Sequence, residues 1–67
     1  MNINEIFGMR VKAKRKELGL SQEKLANIAE IDRTYLPKVE SGKRNVSLLI
    51  ASRIAKALNT PLQDLIQ

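Results

Sequence analysis

The residues best suited to bind another molecule lie in the middle of the chain. Arg33 and Thr34 are adjacent there, and Lys38, Lys43 and Arg44 follow within ten residues. An arginine can donate two hydrogen bonds to the O6 and N7 atoms of guanine, and a threonine offers a hydroxyl group together with a methyl group that suits thymine. Lysine and arginine side chains also pair with phosphates. These residue types therefore predict contacts with the base edges and the backbone of double-stranded DNA.

The charge of the chain is consistent with that partner. Twelve Lys and Arg against seven Asp and Glu give a formal net charge of +5. This balance favours a polyanion, nucleic acid before membrane, although many small proteins are basic for solubility alone. Five of the seven residues from Arg10 to Lys16 are basic. We expect this run to form a solvated helix face, with at most one or two members reaching a phosphate.

Length and composition exclude several classes of protein. The 67 residues predict a single domain, residues 1–67, and the absence of Cys and His leaves no disulfide and no expected metal site. The sequence contains no glycine-rich phosphate loop and no carboxylate cluster, so we expect neither an enzyme nor a bound cofactor. No apolar run reaches the roughly 18 residues of a membrane span, so we expect a soluble, cytoplasmic protein without a membrane partner. A small-molecule effector is not expected either, because little chain lies beyond the binding unit.

Five short helices would carry these residues, which makes the predicted fold class all-α. The helices are expected at Glu5–Leu18, Gln22–Ala29, Arg33 to about Glu40, and Leu48–Leu58, with a last turn that begins at Pro61. The N-caps assigned to the second to fifth helices are Ser21, Asp32, Ser47 and Thr60. Apolar residues recur at helical spacing and predict a core of Ile6, Phe7, Val11, Leu18, Leu25, Ala26, Ala29, Leu36, Val39, Leu48, Ala51, Ile54, Ala55 and Leu58.

The second and third helices, residues 21–40, are joined by a turn of about three residues. Helices joined so tightly cross at a large angle and form a helix-turn-helix unit. In that unit the N-terminal residues of the second helix meet base edges in the major groove. Arg33 and Thr34 occupy this position, Pro37 and Lys38 follow one turn later, and Tyr35 lies at the edge between the exposed and buried faces.

Three blocks of the sequence resemble the Cro/repressor-type (Xre-like) helix-turn-helix family. They are GLSQEKLA, DRTYLPKVESGKRNVSL and IAKALNTPLQDLI, in the family's order and spacing. Within these blocks, the residues most specific for the family are Gln22, Leu25, Ala26, Glu40 and Gly42. A narrower likeness, Asp32–Tyr35 with Arg44–Ser47, resembles the controller proteins of restriction–modification systems, but stand-alone regulators of other kinds share it.

The resemblance implies a compact five-helix, lambda-repressor-like domain that regulates transcription. It would bind a pseudo-palindromic operator as a homodimer through the major groove, and control of restriction–modification genes is the narrower implication. The roles carried over are base reading by Arg33 and Thr34, contact with the backbone or a thymine methyl by Tyr35, phosphate contacts by Gln22, Lys43, Arg44 and Asn45, and an ion pair between Arg15 and Glu40.

Self-association is predicted from the small size of the core. The apolar residues of the last two helices exceed what so small an interior needs, and a domain of this length is marginally stable alone. We therefore expect a two-fold dimer through these helices, with Leu49, Ile50 or Ile66 in the interface. The operator half-sites should then be about 10–10.5 base pairs apart, or a multiple of that.

Three positions depart from the family pattern. Position 14 is usually apolar and is Lys14 here, so the first helix either packs less well at this point or the lysine stem lies along apolar surface with its charge in water. Glu30 stands where the turn usually has glycine. If Asp32 is the N-cap, Pro37 is the fifth helical residue, and its missing N–H costs about 3 kcal/mol. Alternatively the helix begins later, with Thr34 as the cap and Pro37 in the first turn.

Other functions remain open at this point. An antitoxin would use the same motif, but it usually carries a further segment that holds the toxin, and none is expected after the fifth helix. A helical protein-interaction module would have no DNA role. RNA binding is the least favoured, because Tyr35 and Phe7 offer little aromatic surface for stacking bases.

Overall fold

The structure, a computed structural model, describes all 67 residues and contains five α-helices. They are α1 (Ile3–Glu17), α2 (Gln22–Ala29), α3 (Tyr35–Glu40), α4 (Leu48–Ala57) and α5 (Leu62–Ile66). No residue is in a strand, so the all-α fold class is confirmed. No helix combines the length and apolar character that crossing a membrane requires.

One cluster of twelve buried apolar side chains joins the five helices. Helix α1 packs on α3 and α5, and α2 packs on α3 and α4. Most predicted core positions are buried, but three are not. Ile6 is half-buried. Leu18 is 47% exposed and Leu48 is 81% exposed. These two residues lie at the end of α1 and the start of α4, where the chain leaves the core.

Local hydrogen bonds explain where the first helices begin. The Asn2 side chain accepts a hydrogen bond from the Glu5 N–H at 2.9 Å, and the Asn2 N–H donates to the Glu5 carboxylate at 3.0 Å. This capping box starts α1 at Ile3, two residues before the predicted start. The caps predicted at Ser21 and Ser47 are confirmed, since each hydroxyl oxygen accepts a backbone N–H.

The predicted start of the third helix at Arg33, with Asp32 as its N-cap, is wrong. Helix α3 begins at Tyr35 with Thr34 in the N-cap position. The Asp32 carboxylate instead accepts hydrogen bonds from the Thr34 N–H at 2.9 Å and the Thr34 hydroxyl at 2.8 Å. Pro37 is therefore the third helical residue, where an N–H would have no partner within the helix. The alternative of a later start is confirmed, and the 3 kcal/mol penalty does not arise.

The last two helices also differ slightly from expectation. Helix α4 ends at Ala57 rather than Leu58. Pro61, not Thr60, occupies the N-cap position of α5. The Thr60 hydroxyl donates to the Leu58 carbonyl at 3.0 Å and so stabilises the connection that precedes α5.

Two backbone features bring the helices to their positions. Glu30 ends α2 in the left-handed conformation, with φ 58° and ψ 44°, which glycine adopts at less cost. Gly8 lets α1 pass very close to the end of α3, because a Cβ atom there would collide with the carbonyl oxygen of Val39. The close approach of the two helices at Gly8 holds Arg15 on α1 within reach of Glu40 on α3.

Candidate nucleic-acid interface

The start of α3 presents a polar, exposed surface. Arg33 and Thr34 are exposed in the turn that leads into the helix, and Pro37 and Lys38 are exposed one turn later. The opposite side of the helix is buried through Leu36 and Val39, as predicted. The structure therefore brings four of the five predicted base-reading residues to one exposed side of the helix-turn-helix unit.

The turn before α3 is fixed by its own hydrogen bonds. Because the Thr34 N–H and hydroxyl both donate to the Asp32 carboxylate, the pKa of Asp32 is lowered from its ordinary value, and the nearby charge of Arg33 lowers it further. The ionised form of Asp32 thus favours this turn. The Arg33 and Thr34 side chains consequently start from a defined backbone.

An ion pair that was not predicted involves Arg33, one of the residues predicted to read bases. The Arg33 guanidinium is 3.4 Å from the carboxylate of Glu23 in the first turn of α2. Both side chains are largely exposed, 71% for Arg33 and 65% for Glu23. No helical spacing links positions ten residues apart on different elements, so only opposite charge could have suggested this contact.

Tyr35 and Arg44 form a second contact that was not predicted. The guanidinium carbon of Arg44 is 4.0 Å from the centre of the Tyr35 ring, which is cation–π geometry. Tyr35 is half-buried against the core, so it holds Arg44 close to α3. Lys43 is exposed just beyond the end of α3, and the Asn45 side chain accepts a hydrogen bond from Asn4 on α1.

Arg15 and Glu40 form a buried two-point ion pair. The Arg15 Nε atom is 2.7 Å from Glu40 Oε2, and Nη2 is 3.1 Å from Oε1. A third donor, Arg15 Nη1, reaches the Leu20 carbonyl at 2.7 Å. Only 11% of the Arg15 side chain and 4% of the Glu40 side chain are exposed. Hydrogen bonding to Glu40 raises the pKa of Arg15 and outweighs the opposing effect of burial.

Gln22 extends this ion pair to the start of α2. Its side-chain Nε2 atom donates to Glu40 Oε1 at 3.1 Å. The resemblance assigned Gln22 a phosphate contact but not this hydrogen bond, which could not be foreseen from residues 18 positions apart. Glu40 thus links α1, α2 and α3.

The predicted interface residues border an apolar surface. Leu49 is 58% exposed and Ile66 is 37% exposed, while Ile50 is half-buried. Ile66 also lines a groove of about 140 Å³, whereas Leu49 and Ile50 do not line it. Its apolar lining is Ile3, Phe7, Val46, Leu48, Ala51, Leu62 and Ile66.

Comparison with known proteins identifies the family of this helical unit. A family profile described as "Helix-turn-helix" matches residues 11–65. The chain belongs to the helix-turn-helix family. The match spans parts of all five helices, so it includes both the proposed reading surface and the Arg15–Glu40 pair.

Relatives within this helix-turn-helix family are similar over most of their length. The control protein C.SmaI of Serratia marcescens is 44% identical over 66 residues, which are 98% of this chain and 79% of that protein. The crystal structure of the restriction-modification controller protein C.AhdI from Aeromonas hydrophila has 42% identity and a TM-score of 0.88, covering 92% and 94% of the two chains. The resemblance to the Cro/repressor-type family and the narrower resemblance to controller proteins are both confirmed.

A further relative has been solved with nucleic acid. The master regulator for biofilm formation SinR, in complex with DNA, has 29% identity and a TM-score of 0.86, covering 91% of this chain and 98% of that chain. The helical framework described above is therefore one that also occurs in a protein bound to DNA.

Proposed function

We propose that this helix-turn-helix protein binds a pseudo-palindromic operator as a homodimer in the cytoplasm and controls the genes of a restriction–modification system. Its class, a DNA-binding transcriptional regulator, follows from its family. The observation that carries the proposal is the two-sided character of α3 and the turn before it. One side is buried, and the other exposes hydrogen-bonding and basic groups at the end that enters the major groove in this motif.

Base reading is assigned to the exposed side chains of this surface. Arg33 has five N–H donors and can present two of them to a guanine. Thr34, Pro37 and Lys38, together with the half-buried Tyr35, complete the surface that would face the bases. Thr34 has its hydroxyl hydrogen directed to Asp32, so its oxygen and its methyl group are what it can offer.

Phosphate contacts are assigned to residues on both sides of the reading surface. Lys43, Arg44 and Asn45 follow the end of α3, and Gln22 begins α2. The stacking of Arg44 on Tyr35 restricts its motion, so less conformational entropy is lost when it pairs with a phosphate. These contacts would fix the register of the protein on the duplex without reading sequence.

The homodimer is assigned to the apolar surface around Leu49, Ile50 and Ile66. Exposed apolar patches commonly mark interfaces. Burying them against a second copy would also stabilise a domain whose own core is small. A two-fold dimer would place two copies of α3 on one operator and so produce pseudo-palindromic recognition.

Selection from a random pool of duplexes tests the function as a whole. We expect the enriched sequences to share a pseudo-palindrome with half-site centres about 10–10.5 base pairs apart, or a multiple of that. The same motif should occur upstream of the gene for this protein and beside a restriction endonuclease or methyltransferase gene. An unchanged pool after selection, or duplex binding that ignores salt concentration, would favour a protein-interaction module instead.

A further inference from the structure

Glu23 places a negative charge on the side of the molecule that is proposed to face DNA. It lies in the first turn of α2, next to Gln22, to which a phosphate contact is assigned. A carboxylate so close to DNA is repelled by the phosphates. Favourable interaction with the N-terminus of α2 accounts for part of its presence, since acidic residues stabilise that end of a helix. It does not explain why the carboxylate is 3.4 Å from Arg33.

The geometry of the pair leaves Arg33 able to read a base. Only one nitrogen of the guanidinium, Nη1, contacts the Glu23 carboxylate. The group has five N–H donors in a fixed plane, so four remain after one is occupied, and guanine needs only two. Both side chains are mostly exposed, so the contact is accessible at the protein surface rather than enclosed in the core.

We propose that Glu23 is a positioning residue for sequence recognition and that this role rests on the function proposed above. Its carboxylate holds the Arg33 guanidinium beside α3, in reach of a base edge, and keeps it from swinging to a phosphate. Arg33 therefore contributes to binding of the operator more than to binding of arbitrary DNA. Glu23 lowers affinity for duplexes in general and raises discrimination between them.

The test compares Glu23→Gln with the wild-type protein on the selected operator and on a scrambled duplex. Glutamine keeps the size of the side chain and removes its charge. We expect the ratio of operator affinity to scrambled-duplex affinity to fall about two- to five-fold, the range typical of an exposed ion pair. Affinity for the scrambled duplex should rise. Its dependence on salt should steepen by up to about 0.9 in the log–log slope, because Arg33 is free to neutralise one more phosphate.

Glu30→Gln is the matched control, because it removes the same charge at the other end of α2. It should leave the affinity ratio unchanged. In an Arg33→Ala background, Glu23→Gln should no longer alter the ratio. Thermal melting of each variant without DNA establishes that the fold is retained, and 7-deazaguanine in the operator reports whether the guanine N7 contact is weakened in Glu23→Gln.

Three results would overturn the proposal. An equal rise in the affinity of Glu23→Gln for both duplexes would show that Glu23 acts only by repelling phosphates. An unchanged ratio in Glu23→Gln, with a ratio that does fall in Arg33→Ala, would leave the proposed function standing and remove the role of Glu23. A wild-type protein that does not distinguish the two duplexes would reject the proposed function and this inference together.

Discussion

The guanidinium of Arg15 has three donors occupied inside the protein, two by Glu40 and one by the Leu20 carbonyl. Glu40 in turn accepts the Gln22 amide. No buried polar side-chain atom of the protein lacks a hydrogen-bond partner. Ion pairs of this kind add little when compared with apolar replacements, yet each partner becomes costly once the other is removed.

Glu40→Ala should therefore lower the free energy of unfolding by about 3–5 kcal/mol, because it leaves the Arg15 charge buried and uncompensated. For a domain whose total stability is about 5 kcal/mol, this loss approaches unfolding. Thermal melts without DNA measure it. Glu17→Ala, which removes an exposed partner of Lys14, should change stability by well under 1 kcal/mol. Replacing both Arg15 and Glu40 by well-packed apolar residues should recover much of the loss. A change of a few tenths in Glu40→Ala would contradict the role of the pair.

Arg33→Ala should reduce sequence discrimination while the protein remains folded. A missing two-point contact with guanine costs about 1–3 kcal/mol on the operator and relaxes the preference at one base pair. Lys43→Ala is the matched contrast. It should weaken all duplexes about equally and reduce the salt slope by about one. Titrations with operator variants at several salt concentrations measure both. Base reading by Arg33 is refuted if Arg33→Ala weakens operator and scrambled DNA alike.

Asp32 should add a pH dependence to stability. Its pKa is lowered in the folded protein, so ionised Asp32 stabilises the fold above its ordinary, unfolded pKa of about 3.8. That contribution is lost as the pH falls through the lower folded pKa. In thermal melts below about pH 5, Asp32→Asn should therefore lose less stability than the wild type.

Helix α3 has only six residues, and its first turn contains a proline. A helix of this length is not stable alone, so its conformation depends on the burial of Leu36 and Val39 and on the turn held by Asp32. Pro37 fits because its φ angle is already helical and its missing N–H is not needed at the third position.

Pro37→Ala should consequently lower stability by about 0.4–1 kcal/mol, since alanine gives the unfolded chain more freedom. The opposite sign, a gain near 3 kcal/mol, would be expected if the proline interrupted a helix that began at Arg33. Urea denaturation of the two proteins measures the difference. Lys38→Ala, at the next position, controls for the effect of adding alanine to this helix.

The elements could be predicted from the sequence because their signals are short-range. Apolar residues at helical spacing identified all five helices, and Ser21 and Ser47 identified two starts. Asn2 followed three residues later by Glu5 is also a capping-box pattern, which predicts a helix that starts at Ile3. The apolar spacing alone places the start of α1 two residues too late. Asp32 predicts a helix start at Arg33, but its side chain stabilises the turn that precedes the helix. Aspartate is favoured both at N-caps and in turns, so the sequence alone does not distinguish the two roles.

Contacts across the site were less accessible to sequence reasoning. Arg15 and Glu40 are 25 positions apart, and only the family resemblance paired them. The contact of Arg33 with Glu23 depends on the turn between α2 and α3, and the contact of Arg44 with Tyr35 depends on the path of the connection after α3. No periodicity encodes either. The spacing places Leu48 in the core, but it is the first residue of α4 and lines the open groove instead, with 81% of its surface exposed.

Several large apolar side chains on the surface of the protein are exposed to solvent. Leu48, Leu49, Ile3 and Ile66 are all exposed by more than a third of their surface. Three of them line or adjoin the same groove beside α4 and α5. Covering them would add apolar burial that the small interior cannot supply by itself, at roughly 25 cal/mol per Å².

Leu49→Asp should accordingly convert the proposed dimer to monomer in sedimentation experiments at micromolar concentrations. The charge would be buried in an apolar interface without a partner. Ile28→Asp is the control, because Ile28 is an exposed apolar residue on α2, outside the proposed interface. It should leave the dimer intact. Wild-type protein that sediments only as a monomer at high micromolar concentration would contradict the dimer.

Gly8 limits the amino acids that evolution can place at one position of α1. A side chain there would meet the carbonyl oxygens of Val39 and Glu40, which belong to the backbone and cannot rotate away. Gly19 is constrained differently, by a φ of 71° in open space, so asparagine remains an acceptable substitute there. Mutational tolerance at these two glycines thus differs in kind. Any residue larger than glycine at position 8 would push α1 away from α3 and displace the proposed reading surface together with the core.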